Sequence, residues 1–457
     1  MNQEDIIQES KQETKQEHSM KMFLVLIAGQ FISGIGSGLT DFGLAIYVLH
    51  LTGSVTATAI VSICAFLPSI LLTPLGGILA DRYDRRKMMM LGELFSGLGL
   101  IVCLISILSG SPSLYMICVG VALSSVFTAL MEPAFKATVT DMISEEDFAK
   151  AGGLIQIANS AKLLISPALA GLLLKVTPVS TLLIIDILTF LTTVLTIAFV
   201  RKNMTVFQKE HTSKNFIAEI KEGVEAIRGT DGVWALILIM TAAVFCLGFI
   251  QILSKPMILA YADETELGTL STMVAVGMLV GSIVISCIKH IRSYSKMLAA
   301  GLIGCGLFMA LMGVRESIIL TACFGFLMFI CMPVVQISAE TMIRKNLANE
   351  VQGRAFGLIG FVSQMGYIVA YACSGVLADY IFEPFMKGSS KIAAYIGTVI
   401  GTGTGRGIAL LVMLAGIALI LVGLMVLDSK KIKKLSESTK IEFGQEVENE
   451  VILESCM

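Results

Sequence analysis

Twelve apolar stretches divide this chain, and their length is what any fold of it must accommodate. They cover approximately 22–49, 56–79, 88–109, 112–132, 151–175, 177–200, 232–254, 267–289, 297–313, 316–337, 353–377 and 405–427. A helix that crosses a membrane needs about 20 consecutive apolar residues, and most of these runs reach that length. A soluble fold would have to cover all twelve with polar surface. Only 15% of the 457 residues are charged and 55% are hydrophobic, whereas a soluble domain carries roughly 25% charge. The mean hydropathy is +0.83. This composition excludes a water-soluble enzyme and a disordered chain, and a net charge of −2 gives no nucleic-acid signal. The chain reads as an all-α membrane protein of twelve transmembrane helices, with the lipid bilayer as its surroundings.

Lys and Arg set the orientation. With the N-terminus inside, they divide 26 to 6 between inner and outer loops, with Lys162 left inside a stretch. Positive loops stay on the cytoplasmic side, so both termini are expected there. Residues 1–21 read as a cytoplasmic tail without the basic start and cleavage site of a signal peptide, and 428–457 as a second tail. Nine of the ten cysteines fall in apolar runs, none in a Cys-x-x-Cys pair, and the four histidines lie outside the stretches or at their ends. No metal site is expected from that spacing.

The chain also repeats. Glu-Glu-Asp-Phe-Ala-Lys-Ala-Gly-Gly-Leu at 145–154 aligns with Asn-Glu-Val-Gln-Gly-Arg-Ala-Phe-Gly-Leu at 349–358, an offset that also pairs Gly171 with Gly375 and Gly77 with Gly281. Two six-helix bundles, 22–200 and 232–427, related by a parallel repeat and joined by a polar linker at 201–231, are the organisation of an alternating-access transporter with a midplane site between halves. In the linker, Phe216, Ile217, Ile220, Val224 and Ile227 recur at helical spacing, as in an amphipathic helix on the inner membrane face.

The most informative loop is Gly-Gly-Ile-Leu-Ala-Asp-Arg-Tyr-Asp-Arg-Arg-Lys at 76–87. Small residues at the end of a span let another helix approach, and arginines form bidentate pairs with carboxylates. This loop resembles the signature Gly-x-Leu-Ala-Asp-Arg-x-Gly-Arg-Arg of the major facilitator superfamily, with Asp84 in place of the internal Gly. The resemblance implies a conformational latch made of Gly77, Asp81, Arg82, Arg85, Arg86 and Glu132. Asp81 would face the start of span 11, and an arginine would meet Glu132 at the inner end of span 4. The segments 132–137, 183–190, 220–228, 378–386 and 401–410 narrow the likeness to the macrolide-efflux-like exporters of bacteria, over essentially all twelve spans. That subgroup implies a permease of the bacterial cytoplasmic membrane, often exporting drugs or siderophores on proton flux. The substrate does not transfer with the fold.

Span 5 carries Ser166, Pro167, Ala170 and Gly171. They resemble a worn antiporter signature, Gly-Pro-x-x-Gly-Gly, in which the proline bends the helix and small residues let span 8 approach. The glycine run at 401–407 lacks the Lys-Ser/Thr of a phosphate loop, so no nucleotide and no other cofactor is expected.

Charges inside a bilayer are costly, roughly 2.5–3.5 kcal/mol each on insertion scales, and Asp41, Lys162 and Asp186 are read as the deepest. At about 1.5 Å per residue, Asp41 lies ~12 Å and Lys162 ~20 Å from the outer ends of their stretches. Asp41 is read as a proton-coupling group or as the partner of Lys162 in a buried ion pair, and Asp186 as structural. Gln30, Ser33 and Ser37 share Asp41's face of span 1. With Ser124, Ser125 and Thr128 of span 4 and Met328, Met332 and Gln336 of span 10, they would line an amphiphilic substrate cavity. The expected function is export of an amphiphilic small molecule in exchange for protons, by a monomer. The alternatives are an importer or uniporter of the same fold, or a membrane sensor that binds a ligand without moving it.

Overall fold

A computed structural model describes residues 3–143, 147–203, 221, 224–225, 227–230, 232–288, 293–347, 349–388 and 390–437. Glu145, Glu146, Phe216, Ile217 and Ile220, invoked above for the repeat and the linker helix, lie outside the described residues, as do 438–457.

The described chain is helical throughout, with twelve helices long and apolar enough to span a membrane. In order they are α1 (Gln3–Thr52), α2 (Val55–Arg82), α3 (Arg85–Leu108), α4 (Leu114–Met142), α5 (Phe148–Val176), α6 (Val179–Asn203), α7 (Val233–Leu259), α8 (Glu264–Ser286), α9 (Tyr294–Met312), α10 (Ile318–Asn346) and α11 (Asn349–Leu377). A π turn, Ala378–Phe382, and the short turn Glu383–Lys387 prolong α11. A ten-residue helix, α12 (Lys391–Ile400), precedes the last span, α13 (Arg406–Asp428). Several helices outrun the apolar stretches. The fourth continues ten residues past Glu132 because its last turns carry amphiphilic side chains that an apolar window discounts.

Local chemistry starts the helices. Ser54 accepts from Ala57 N–H at 3.1 Å to cap α2, and Ser390 does the same for Ala393 ahead of α12 at 3.1 Å. Such caps contribute about 0.5–2 kcal/mol each. Along the spans the soluble pattern is inverted. Leu195, Ile283, Leu421 and Met425 face outward, while Ser96, Thr193, Ser338 and Ser374 are buried. In lipid, apolar side chains gain nothing by hiding, so close backbone packing and interhelical hydrogen bonds hold the helices. Gly99 of α3 and Gly120 of α4 show the packing, because a Cβ on either would run into the other's carbonyl.

The chain divides into two compact units, Met1–His211 with Asp263–Thr272, and Thr212–Ala262 with Met273–Met457. In the first, α4 packs on α2 and α3, and α1 packs on α5 and α6. In the second, α9 packs on α10 and α13, and α7 packs on α11 and α13.

Candidate functional site

The polar face of α1 organises the first unit. Gln30, Ser37 and Asp41 sit at 7- and 4-residue intervals, and at about 100° per residue they fall within ~40° of one another. Each meets a polar side chain on a different helix. Gln30 Nε2 donates to Glu93 Oε1 of α3 at 3.4 Å, and Ser37 Oγ donates to Asp186 Oδ1 of α6 at 3.2 Å. Lys162 Nζ of α5 lies 3.4 Å from Asp41 Oδ2. Glycines admit these neighbours. A Cβ at Gly36 would strike Thr189 and Asp186, and one at Gly38 would strike Ser166.

The three contacts differ in their surroundings. Glu93 and Asp186 are 3% and 1% exposed. Asp41 and Lys162 keep 69% and 41% of their side chains exposed. A charged pair cannot face acyl chains at that exposure without a large penalty, so this end of the α1 face is wetted.

Ser33 is buried, and Ser166 donates to Ile35 O at 3.1 Å, fixing α5 on α1. On the other side of α5, a Cβ at Gly171 or at Gly268 would meet backbone of the facing helix, Glu264 or Pro167 respectively. Thr265 Oγ1 donates to Gly171 O at 3.2 Å and Thr272 Oγ1 to Leu164 O at 2.7 Å. The small residues around Pro167 thus permit the approach of the first turns of α8, while Ala170 is wholly buried.

Most of the expected cavity hydroxyls are engaged in packing. Ser124 and Thr128 hydrogen-bond Ser96 of α3 at 2.7 and 3.3 Å, and Ser125 donates to Ala65 O of α2. In α10, Met328 is 1% exposed and packed, Met332 is half-buried, and exposed Gln336 donates to Glu340 at 3.1 Å. Hydroxyls on an apolar helix find the nearest backbone or hydroxyl partner, and sequence spacing does not show which helix supplies it.

The loop at 76–87 forms a charged knot at one end of the first unit. Asp84 caps α3, accepting from Arg86 N–H at 3.0 Å and Lys87 N–H at 3.2 Å, so an acid in place of the signature's glycine has a structural use. Its other oxygen lies 3.5 Å from Arg201 Nε of α6. Arg85 donates to Ala80 O at 3.1 Å and pairs with Asp141 at the end of α4. Two expectations are corrected here. Glu132 does not meet an arginine, because it lies nine residues, about 13.5 Å of helix, short of Asp141, and it pairs with Lys136 at 2.7 Å. Gly77 faces open space. Its neighbour Gly76 makes the close approach, with Ala129 O of α4 2.8 Å from where a Cβ would sit. Arg82 is exposed and Arg86 buried; the side chain of Asp81 lies outside the described residues.

At one end of the second unit, buried Arg406 donates to Ile400 O at 2.8 Å and pairs with Glu316 at 3.0 Å. Gly401, Gly403 and Gly405 before it have φ of 89°, 129° and 83°, so the glycine run is a tight left-handed turn into α13. Nearby, between α7 and α8, burial raises the Tyr261 phenol above its ordinary range, and its oxygen shares a hydrogen bond with Thr321 at 2.8 Å.

Sequence reasoning overlooked Glu93, Asp141 and Arg201. For Glu93 the signal was present, a single acid in the apolar run Leu-Gly-Glu-Leu-Phe at 91–95.

Against known families, residues 26–261, just over half of the chain, match the model of the Major Facilitator Superfamily. The chain belongs to that superfamily. Among its relatives is Macrolide efflux protein A of Streptococcus pyogenes, 26% identical over 370 residues that cover 79% of this chain and 90% of that one. Multidrug resistance protein 2 of Bacillus subtilis is 24% identical, with 80% and 91% covered. The enterobactin exporter EntS of Shigella flexneri is 27% identical over 155 residues, covering 33% and 37%. A solved bacterial homologue of the lysosomal transporter Spinster, in an inward-facing and unoccupied conformation, shares the fold with a TM-score of 0.66 at 11% identity over 92% of this chain and 97% of that one. A bacterial homologue of the iron transporter ferroportin does so with a TM-score of 0.66 at 14% identity, over 88% and 99%. This member of the superfamily is a multi-pass membrane transporter whose relatives include efflux proteins, and it is not an enzyme.

Proposed function

We propose that this transporter exports an amphiphilic small molecule, of the drug or siderophore kind, across the bacterial cytoplasmic membrane in exchange for protons, with both termini in the cytoplasm. The observation that carries the reading is the Asp41–Lys162 pair, 3.4 Å apart and half-exposed inside a membrane-spanning unit. Membrane-embedded ionisable groups are rarely tolerated without a use in ion or substrate movement. The efflux relatives support the direction and the class of cargo. Asp41, at the wetted end of the α1 face and beside Lys162, exchanges protons with the outer aqueous phase.

The test uses the full chain in proteoliposomes with an imposed pH gradient and radiolabelled erythromycin, with cationic dyes and catecholate siderophores as competitors. Gradient-driven accumulation of a probe, collapsing when the gradient is dissipated, is the expected result. Counterflow that is indifferent to the gradient would make the protein a uniporter. Saturable binding without counterflow would make it a sensor.

A further inference from the structure

Two carboxyl groups of the first unit differ from every other buried acid described here in what they touch. Glu93 and Asp186 are almost wholly buried in membrane-spanning helices, and the uncharged side chains Gln30 and Ser37 hydrogen-bond them. A primary amide and a hydroxyl are both donors and acceptors. Toward a carboxylate, the Gln30 amide donates an N–H. Toward a carboxylic acid, its carbonyl oxygen accepts the acid O–H. Ser37 likewise donates to the Asp186 carboxylate or accepts from its acid by turning its hydroxyl. Both protonation states therefore keep a satisfied hydrogen bond at each site, and the exchange needs only a side-chain rotation. Lys162, opposite Asp41, offers donors alone and so has nothing to accept a carboxylic acid O–H.

The positions also form a series. Gln30, Ser37 and Asp41 present their partners along one face of α1, about 10.5 Å and then ~6 Å apart along the axis. Asp41 lies eleven residues from the Thr52 end of this span, and Gln30 eleven residues from its Ser19 end, each about 16 Å of helix. The series thus occupies the middle of the span. The titratable and charged neighbours are few. Asp186 acts electrostatically on Glu93, and Asp41 and Lys162 act on Asp186. On α4, which packs against α3, the charged side chains are Glu132 and Lys136, paired with each other, and Asp141, paired with Arg85. A charge leaving Asp41 inward meets Asp186 first and Glu93 second.

We propose that Glu93 and Asp186 are proton-carrying residues of this transporter, relaying protons inward from Asp41 along the polar face of α1, with Gln30 and Ser37 as the positioning residues that accommodate both protonation states. A proton arriving at Asp186 forms a neutral acid. Its transfer regenerates the Asp186 carboxylate and forms the Glu93 acid, and release toward the inner aqueous phase restores the Glu93 carboxylate. No charge other than the proton moves and no bond beyond O–H forms or breaks. The relay rests on the proton-exchange reading above, and it goes further in assigning the carriers to two residues of α3 and α6.

The deciding measurement does not depend on knowing the cargo. Full-length protein in lipid is titrated under infrared difference spectroscopy, where a carboxylic acid in an apolar site shows a C=O stretching band separate from that of the carboxylate. Expected is a pH-dependent acid band that is lost in part in Glu93→Gln and in part in Asp186→Asn, retained and shifted in Glu93→Asp, and displaced in Gln30→Leu. In proteoliposomes, Glu93→Gln should lose gradient-driven accumulation of radiolabelled erythromycin while keeping its counterflow. An identical titration spectrum in wild type and in Glu93→Gln overturns the proposal, as does gradient-driven transport by that variant at the wild-type rate. If Glu93→Gln fails to fold, Glu93→Asp and Gln30→Leu decide, because an unshifted band in both also overturns it. A wild type that shows the band and moves no probe would refute the export reading and leave the proton sites standing.

Discussion

The Asp41–Lys162 contact makes the sharpest quantitative prediction, because the two accounts of it differ by several kcal/mol. At the observed 3.4 Å, two unit charges attract by about 1.2 kcal/mol in water and by about 5 kcal/mol at an effective dielectric constant of 20. With 69% and 41% of the side chains exposed, screening places the pair near the first limit, where exposed ion pairs contribute about 0.2–1 kcal/mol. Asp41→Asn, Lys162→Met and the double variant form a cycle whose coupling free energy isolates the pair. Measured by equilibrium unfolding in mixed micelles, that coupling should stay below about 1 kcal/mol, and each single variant should be recovered folded. The transport phenotype should be separate from stability, with Asp41→Asn slowing gradient-driven efflux and Lys162→Met acting more mildly. A coupling above about 3 kcal/mol, with single variants that do not fold and a double variant that does, would show a sealed structural tie. It would refute the wetted face and the proton entry assigned to Asp41.

Arg85→Ala and Asp141→Asn should each slow turnover while leaving ligand binding intact, and Glu132→Gln should leave the rate unchanged; equal slowing by Glu132→Gln would return the latch to that acid. Cysteines placed at 53 and 390 of a Cys-depleted chain should react with an impermeant thiol reagent from outside intact cells and one at 210 should not, as the division of Lys and Arg requires. Gly407→Ala should destabilise by about 1–3 kcal/mol, read as lost yield and earlier unfolding, because its Cβ would meet the Phe382 and Glu383 backbone. The same substitution at Gly77, which faces open space, should be silent in that assay.

The spans were legible because a bilayer imposes one requirement that a linear sequence can display, a long run of apolar residues. The Asp41–Lys162 contact was legible for a related reason, since depth along a helix follows from counting residues. What could not be read was lateral. Ser124 and Ser125 are adjacent in sequence, yet one hydrogen-bonds α3 and the other α2, a choice made by helix rotation within the bundle. The acid expected to meet an arginine was misplaced because α4 keeps its helical geometry past Glu132 through Lys136, Thr138 and Thr140, whose side chains bond back to their own helix. Glu93 was missed for a simpler reason. One acid among leucines looks tolerable in a hydropathy window, and only the packed structure, with Glu93 3% exposed and within reach of Gln30, shows where it sits.

Burial alone does not mark a proton site, as Glu383 shows. It is nearly as buried as Glu93, yet it accepts from the Ile408 N–H at 3.2 Å and lies 3.3 Å from the Lys387 ammonium. Both partners can only donate, so neither could accept an O–H from this carboxyl. Arg406 close by is held by carbonyls and by Glu316, which suit a permanent cation in the same one-sided way. That cluster at the head of α13 is chemically locked and fastens a helix end. Gln30 and Ser37 are the opposite kind of neighbour, equally able to receive or supply a hydrogen, and they sit beside two carboxyls in the interior of the first unit. Two buried acids at similar exposure are thus sorted by the donor–acceptor character of what faces them, one kind into structure and the other into proton movement.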